Sequence, residues 1–379
     1  MSSKETTLYG IQAGKLIEAR KARGYTVAEI SKWLGVSRQA VDKYEKGLMR
    51  PSVDVLQKYI ELLEFPMTYF QSPIPEISLP KTAILHRSLA TASAPSRDKV
   101  SVRAEWMNRV MFFLSQYCEF PEVTIKLKKG RRIYSTEDIE QIAENLRSKW
   151  GLGLGPIDNL TILLQNQGIV VARTAIQVDK SDACSQWVGD QPYVFLTADK
   201  EAAVRSRFDL AHELGHILLH YVEDGAVTRE LIKELDKEAN RFAGAFLLPR
   251  QTFAREIIST SLEYFIQLKK RWKVSIAAMI YRCKDLGILS ENQTSYLWRQ
   301  MAAAKMRTKE PLDDTLTIEQ PTLFKDAFEL LIDNNILTPQ EIVEQIQLPV
   351  RDLSELCSVP MSVFDVTLKP VRPQLYLVK

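Results

Sequence analysis

Histidine and cysteine are both scarce in this chain, with four of each in 379 residues. The cysteines Cys118, Cys184, Cys283 and Cys357 lie far apart and form no Cys-x-x-Cys pair. That spacing excludes a disulfide framework and a thiolate zinc knot, and predicts reduced, mostly buried thiols. Long apolar runs are missing too. None approaches the ~18 residues needed to cross a bilayer, and the opening Met1-Ser2-Ser3-Lys4-Glu5 lacks the apolar core of a signal peptide. A cytoplasmic protein with no membrane partner is expected. Internal repeats and low-complexity tracts are absent. With 45% hydrophobic and 26% charged residues, the composition is that of a folded protein of two or three domains rather than a disordered chain.

The net charge of +3 averages over unlike regions. Residues 1–50 hold ten Lys or Arg against five Asp or Glu, a local excess suited to phosphates. Between Ile11 and Leu63 four short helical patterns follow one another, as a compact all-helical unit over residues 9–70. Thr26 and Glu29 form a capping box that starts the second helix, Gly35 ends it, and Ser37 caps the third after a turn of about three residues. This spacing fits a helix-turn-helix whose second member enters the major groove of double-stranded DNA. Arg38 and Gln39, at the start of that helix, suit base edges. Lys43, Lys46 and Arg50 suit phosphates, with Ser37 and Asp42 on the same surface. A basic helical face that only meets solvent, or that binds protein, is the competing interpretation.

Prolines at 73, 75, 80 and 95 mark a linker over residues 71–96. Helical spacing of Val102, Trp106, Val110 and Leu114, then a cap at Ser135 with Asp138, gives a helical connector over 97–155. Pro156 is expected to open a helix closed by Gly168. The runs Ile169-Val170-Val171-Ala172 and Tyr193-Val194-Phe195-Leu196 are expected to form short buried strands. Helices dominate the rest of a domain over 156–307, and the polar stretch Thr308 to Gln320 breaks the pattern. Residues 321–379 form a C-terminal helical region of unknown role, a small packed bundle or a homodimer contact. The fold class is mainly α with a small sheet (α+β).

The chemistry concentrates in His212-Glu213-Leu214-Gly215-His216. Residues four apart on an α-helix project from one face, so both imidazoles can reach a single ion. Glu213, one position along, suits a general base. Leu210, Ala211, Leu214, Ile217, Leu218 and Leu219 require the helix to be buried nearly all round, and buried imidazoles need partners, which a shared Zn2+ supplies. A catalytic zinc needs a third protein ligand. His220 lies ~12 Å along the axis from His212, too far to share an ion with it. A glycine turn returning a third histidine is ruled out, because Leu219 and Val222 occupy the required positions. His86 falls in the Pro-rich linker. A carboxylate is therefore expected, with Glu238 favoured on a helix from about Thr228 to Leu248 and with Glu234 and Asp236 as competitors.

The segment Arg207-Phe208-Asp209-Leu210-Ala211-His212-Glu213-Leu214-Gly215-His216, followed by Glu238-Ala239-Asn240-Arg241-Phe242-Ala243-Gly244-Ala245-Phe246-Leu247-Leu248-Pro249, resembles the ImmA/IrrE family of metallopeptidases. The likeness extends from about Pro156 to Leu289. It implies a zincin-like domain with zinc held by His212, His216 and Glu238, with Glu213 as base. Val36 to Gly47, with Pro51 after it, resembles the Xre and phage-repressor group. Together they imply a DNA-binding regulatory endopeptidase that cleaves a repressor or antitoxin-like protein. The alternative is an Xre-type repressor whose zinc domain is a sensor or a structural element. No residue stands out as the stabiliser of a tetrahedral oxyanion.

Overall fold

Many helix starts in this chain are set by side-chain caps. Thr26 and Glu29 close a capping box at the head of one helix, and Ser135 with Asp138 closes another. Ser37, Ser52 and Thr228 each accept a backbone N–H from three residues on. The computed structural model describes residues 10–73, 93–126, 133–174, 183–197, 202–220 and 228–364. Most of the expected 71–96 linker, His86 included, lies outside them. Two compact units result. One takes the described residues up to 73 together with 98–119 and 322–364, and the other takes 93–97 and those between 120 and 321.

In the first unit, α1 (Ala13–Ala22), α2 (Val27–Leu34), α3 (Arg38–Glu45), α4 (Val53–Leu63) and α5 (Met67–Gln71) form the expected N-terminal head. Gly35 ends α2 in the left-handed conformation at φ 70°, which turns the chain sharply into α3. Arg20 on α1 grips the Glu45 carboxylate at the end of α3 with two hydrogen bonds of 2.6 and 2.8 Å, fixing the helix offered to solvent. The head also packs on α6 (Ala94–Leu114), from Asp98 onward, and on helices from the far end of the chain, α15 (Leu323–Asp333), α16 (Pro339–Ile346) and α17 (Val350–Cys357). Arg23 makes the tie: its guanidinium bonds both oxygens of buried Asp352 at 2.6 and 2.9 Å. The region after 321, read from sequence as a separate piece, thus belongs with the head. Likewise, the 97–155 connector divides at about residue 120 between the two units.

Among its described residues the second unit contains α7 (Thr136–Lys149), α8 (Leu160–Asn166), a three-stranded sheet and six further helices. Asn159 caps α8, so the helix starts four residues after Pro156, not at it. Strand β1 (Val170–Thr174) runs parallel to β3 (Gln191–Thr197), which pairs antiparallel with β2 (Ala183–Val188). The two expected strands are present, and β2 was not anticipated. Helix α9 (Ala203–Leu219) lies against the sheet, and α10 (Arg229–Leu247) packs on α9 and α7, followed by α11 (Arg250–Glu256), α12 (Leu262–Trp272), α13 (Ile276–Asp285) and α14 (Glu291–Ala303). The polar stretch after Thr308 is ordered by charge: buried Lys269 holds Glu310 at 2.9 Å and Asp313 at 2.6 Å, and Glu310 also accepts the first N–H groups of α13.

Gly168 is the tightest turn in this unit. Its φ is 78°, and a Cβ there would sit 2.6 Å from the backbone of Glu122 and Val123. Left-handed strain of about 1–2 kcal/mol adds to an overpacking cost of about 1–3 kcal/mol. Gly168→Ala is therefore expected to lower the melting temperature of this unit by roughly 4–20 °C, measured by circular dichroism.

Candidate metal centre and nucleic-acid surface

Gly215 is where α9 and α10 meet. A Cβ at this position would lie 3.2 Å from Ala239 Cα and 3.1 Å from the Phe242 ring, so the absence of a side chain permits the approach. At this crossing Nε2 of His212 faces Nε2 of His216 at 3.0 Å. The Asp236 carboxylate joins them, the three ligand atoms all lying within 4.8 Å of one another, with His216 Nε2 3.8 Å from Asp236 Oδ1. Two imidazoles and a carboxylate converging this closely are a donor set that fits zinc, whose ligands at 2.0–2.2 Å sit ~3 to 3.5 Å apart.

Glu238, the expected third ligand, is not brought to this point. Its Oε2 lies 3.0 Å from His220 Nε2, and its Oε1 accepts the Tyr134 N–H at 3.2 Å. Glu238 instead lies against His220, the residue that ends α9. His220 caps the end of α9 and touches His216, Nδ1 to Nδ1, at 2.9 Å. Asn240 Oδ1 lies 2.9 Å from His212 Nδ1.

Glu213 points to the sheet side of α9, where the Ser185 hydroxyl of β2 donates to its Oε2 at 2.7 Å. Burial pushes this carboxyl up to about 8, against the pull of the Ser185 hydrogen bond and with help from the charges of Asp209 and Asp236. Ser185 was invisible to sequence reasoning, because the only signal was a small polar residue in a segment not recognised as a strand. Beside the centre, a cavity of about 600 Å³ is lined by Arg205, Phe208, Asn240, Arg241, Tyr281 and Asp285, among others. Asn240 thus touches both His212 and this cavity.

On the other unit, Ser37, Arg38, Gln39, Asp42, Lys43, Lys46 and Arg50 are all exposed on or beside α3. Val41 and Tyr44 point inward, which leaves the polar face outward. Lys46 is engaged with Asp42, Nζ to Oδ2 at 2.8 Å.

Residues 16–70 match the model of a helix-turn-helix family, and residues 164–284 match the IrrE N-terminal-like domain of the M78 peptidases. The chain joins a helix-turn-helix head to an IrrE-like domain. The head is similar to proteins named as HTH-type transcriptional regulatory proteins. One is from Methanocaldococcus jannaschii, at 44% identity over 55 residues, or 14% of this chain and 17% of that protein. Another is from Pyrococcus furiosus, at 34% over 73 residues, or 18% of this chain and 23% of that protein. The chain therefore spans less than a quarter of the length of either relative. A solved Mycobacterium tuberculosis transcriptional regulator aligns at TM-score 0.30 and 20% identity, covering 47% of this chain and 50% of that one. Among the described residues no helix of the IrrE-like domain or the head is long and apolar enough to cross a membrane.

Proposed function

We propose that this chain is a DNA-binding regulatory zinc endopeptidase that hydrolyses a peptide bond in a partner protein, a transcriptional repressor or an antitoxin-like protein. The observation that carries the proposal is the convergence of His212, His216 and Asp236 beside a buried Glu213 that a serine holds in place. His212, His216 and Asp236 would hold the zinc, and the fourth position would be left for water, as in catalytic rather than closed structural sites. When bound, zinc supplies Lewis acidity to a water and to the scissile carbonyl. In its ionised form, which the positive charge of a bound zinc would favour, Glu213 would take the proton from the attacking water at its carboxylate and return it to the leaving nitrogen. Ser185 keeps that carboxylate in one orientation. The cavity lined by Phe208 and Tyr281 gives the extended substrate a surface beside His212.

The test is incubation of the zinc-loaded full chain with the repressor proteins encoded beside its gene. Cleavage by the wild type supports the endopeptidase. Intact partners throughout, together with unfolding or DNA release when zinc is removed, would favour the sensor or structural alternative.

In this reading the head delivers the peptidase to an operator. Arg38 and Gln39 read base edges from the N-terminal end of α3, and Lys43 and Arg50 hold phosphates. The ion pair of Lys46 with Asp42 assigns Lys46 a smaller share of phosphate binding than its charge suggests. On an operator selected from random duplexes, Lys43→Ala is expected to weaken binding across all sequences and to reduce the slope of log K against log salt by about 1. Gln39→Ala is expected to cost about 1–3 kcal/mol and relax preference at one base pair, read by fluorescence anisotropy on single-base variants.

A further inference from the structure

Gly215 and Gly244 both lie inside helices, and their surroundings differ. At Gly215 a Cβ would press on Ala239 and Phe242, so the crossing of α9 and α10 accounts for the missing side chain. At Gly244, inside α10, a Cβ would meet only Arg282 Cδ at 3.7 Å, an ordinary contact. Glycine weakens a helix interior relative to alanine, and at Gly244 neither close packing nor a left-handed backbone requires it. What the missing side chain leaves open is the cavity of about 600 Å³, which Gly244 lines together with Phe208 of α9 and Ala277, Ala278 and Tyr281 of α13. Trp298 backs the Tyr281 ring at 4.9 Å, and that ring is 60% exposed.

The charged groups of the lining are engaged or face water. Arg205 donates to the main-chain carbonyl of Thr308, Arg241 lies 3.9 Å from Asp285, and Arg282 holds Glu140 at 2.8 Å. Asp209 interacts electrostatically with Arg173, and Lys237 is exposed. A charged side chain entering the cavity would lose its water without a dedicated partner, whereas an apolar one gains by leaving water for carbon. The cavity is also continuous with the metal centre. Asn240 lines it and reaches His212 Nδ1 at 2.9 Å. Phe208 precedes His212 by four residues on the same face of α9, about 6 Å along the axis. An extended peptide advances about 3.3 Å per residue, so that span corresponds to one or two residues of a bound chain.

We propose, on the endopeptidase reading given above, that this cavity is the specificity pocket of the metal centre and takes a bulky apolar side chain of the partner protein, aromatic or long aliphatic, one or two residues from the scissile bond. Gly244, Ala277 and Ala278 are then specificity-determining residues, and their small size sets the width of the pocket.

Gly244→Leu fills the pocket and keeps the helix, since leucine favours a helix far more than glycine does. With the zinc-loaded full chain, cleavage preference is read by mass spectrometry on a library of peptides of mixed sequence. The wild type is expected to favour Phe, Tyr, Leu or Met over Ala at one position within two residues of the cut. Gly244→Leu is expected to lower cleavage at those sites by roughly 10–200-fold and to keep the sites with Ala or Ser there. Occupancy is read separately, without zinc or catalysis, by methyl NMR of alanine-labelled full chain titrated with N-acetylphenylalaninamide or N-acetylglycinamide. The phenylalanine amide is expected to shift the Ala277 and Ala278 methyl signals in the wild type and not in Gly244→Leu, and the glycine amide is expected to shift neither.

Equal response to the two amides, no response to either, or an unchanged cleavage preference in Gly244→Leu would overturn the pocket. If Gly244→Leu fails to fold, Ala278→Leu on the facing helix carries the same expectations and decides. Binding of the phenylalanine amide by a wild type that cleaves no peptide would instead overturn the endopeptidase reading and leave the cavity as a site for apolar ligands.

Discussion

Glu213→Gln is expected to lower peptide hydrolysis by about a thousandfold while zinc remains bound at one per chain. General-base catalysis contributes on the order of 10²–10⁴ in rate, and among the described residues Asp236 is drawn to the histidines and Glu238 to His220. Glutamine keeps the volume of a side chain that is only 4% exposed, and its carbonyl oxygen can still accept from Ser185. The helix crossing at Gly215 is thus undisturbed, and the loss is chemical rather than structural. The measurement pairs cleavage of the partner protein with zinc content by atomic absorption. Equal cleavage by the variant and the wild type would remove Glu213 from the reaction. Loss of zinc together with cleavage would show that Glu213 belongs to the metal set.

The capped helices of the head and the His-Glu-x-x-His helix were legible because local chemistry fixes them. Thr26, Gly35 and Ser37 each satisfy a helix-terminal group that sequence alone identifies. Strand β2 was not, and the reason is its environment. Five of its six residues are buried, so neither an alternating pattern nor an apolar run marks it, and Ser185 and Gln186 look like loop residues. Their polarity is explained only by what they meet, the carboxylate of Glu213 in the case of Ser185. The site residue that depended on β2 was missed with it.

The third carboxylate is a different case. Sequence favoured Glu238 with Asp236 as a competitor, and the structure sets Asp236 beside His216 and Glu238 against His220. The partnership of head and C-terminal helices was illegible for a third reason. The Arg23 to Asp352 contact joins residues 329 apart in sequence, and nothing local in either segment announces it.

Asp236→Ala is the variant in which these arguments about the centre meet, and it is expected to lower zinc affinity by roughly a thousandfold, beyond the 10–100-fold of an outer partner. Asp236 is 4% exposed and supplies the only carboxylate in the His212, His216 group among the described residues. Alanine leaves two neutral imidazoles, a set too weak to hold the ion at micromolar zinc. The fold is expected to survive. Asp236 Oδ1 is buried with no hydrogen-bond partner, so removing the carboxylate leaves no protein donor unsatisfied at that atom. The decisive quantity is stabilisation by added metal. At free zinc near 1,000 times the wild-type Kd, the wild type gains about 4 kcal/mol, and a variant with a thousandfold weaker site gains about 0.4 kcal/mol. Thermal melts with and without zinc read this directly as a large shift in Tm for the wild type and almost none for Asp236→Ala. An equal shift in both would return the ligand role to Glu238, and Glu238→Ala would then abolish the shift completely.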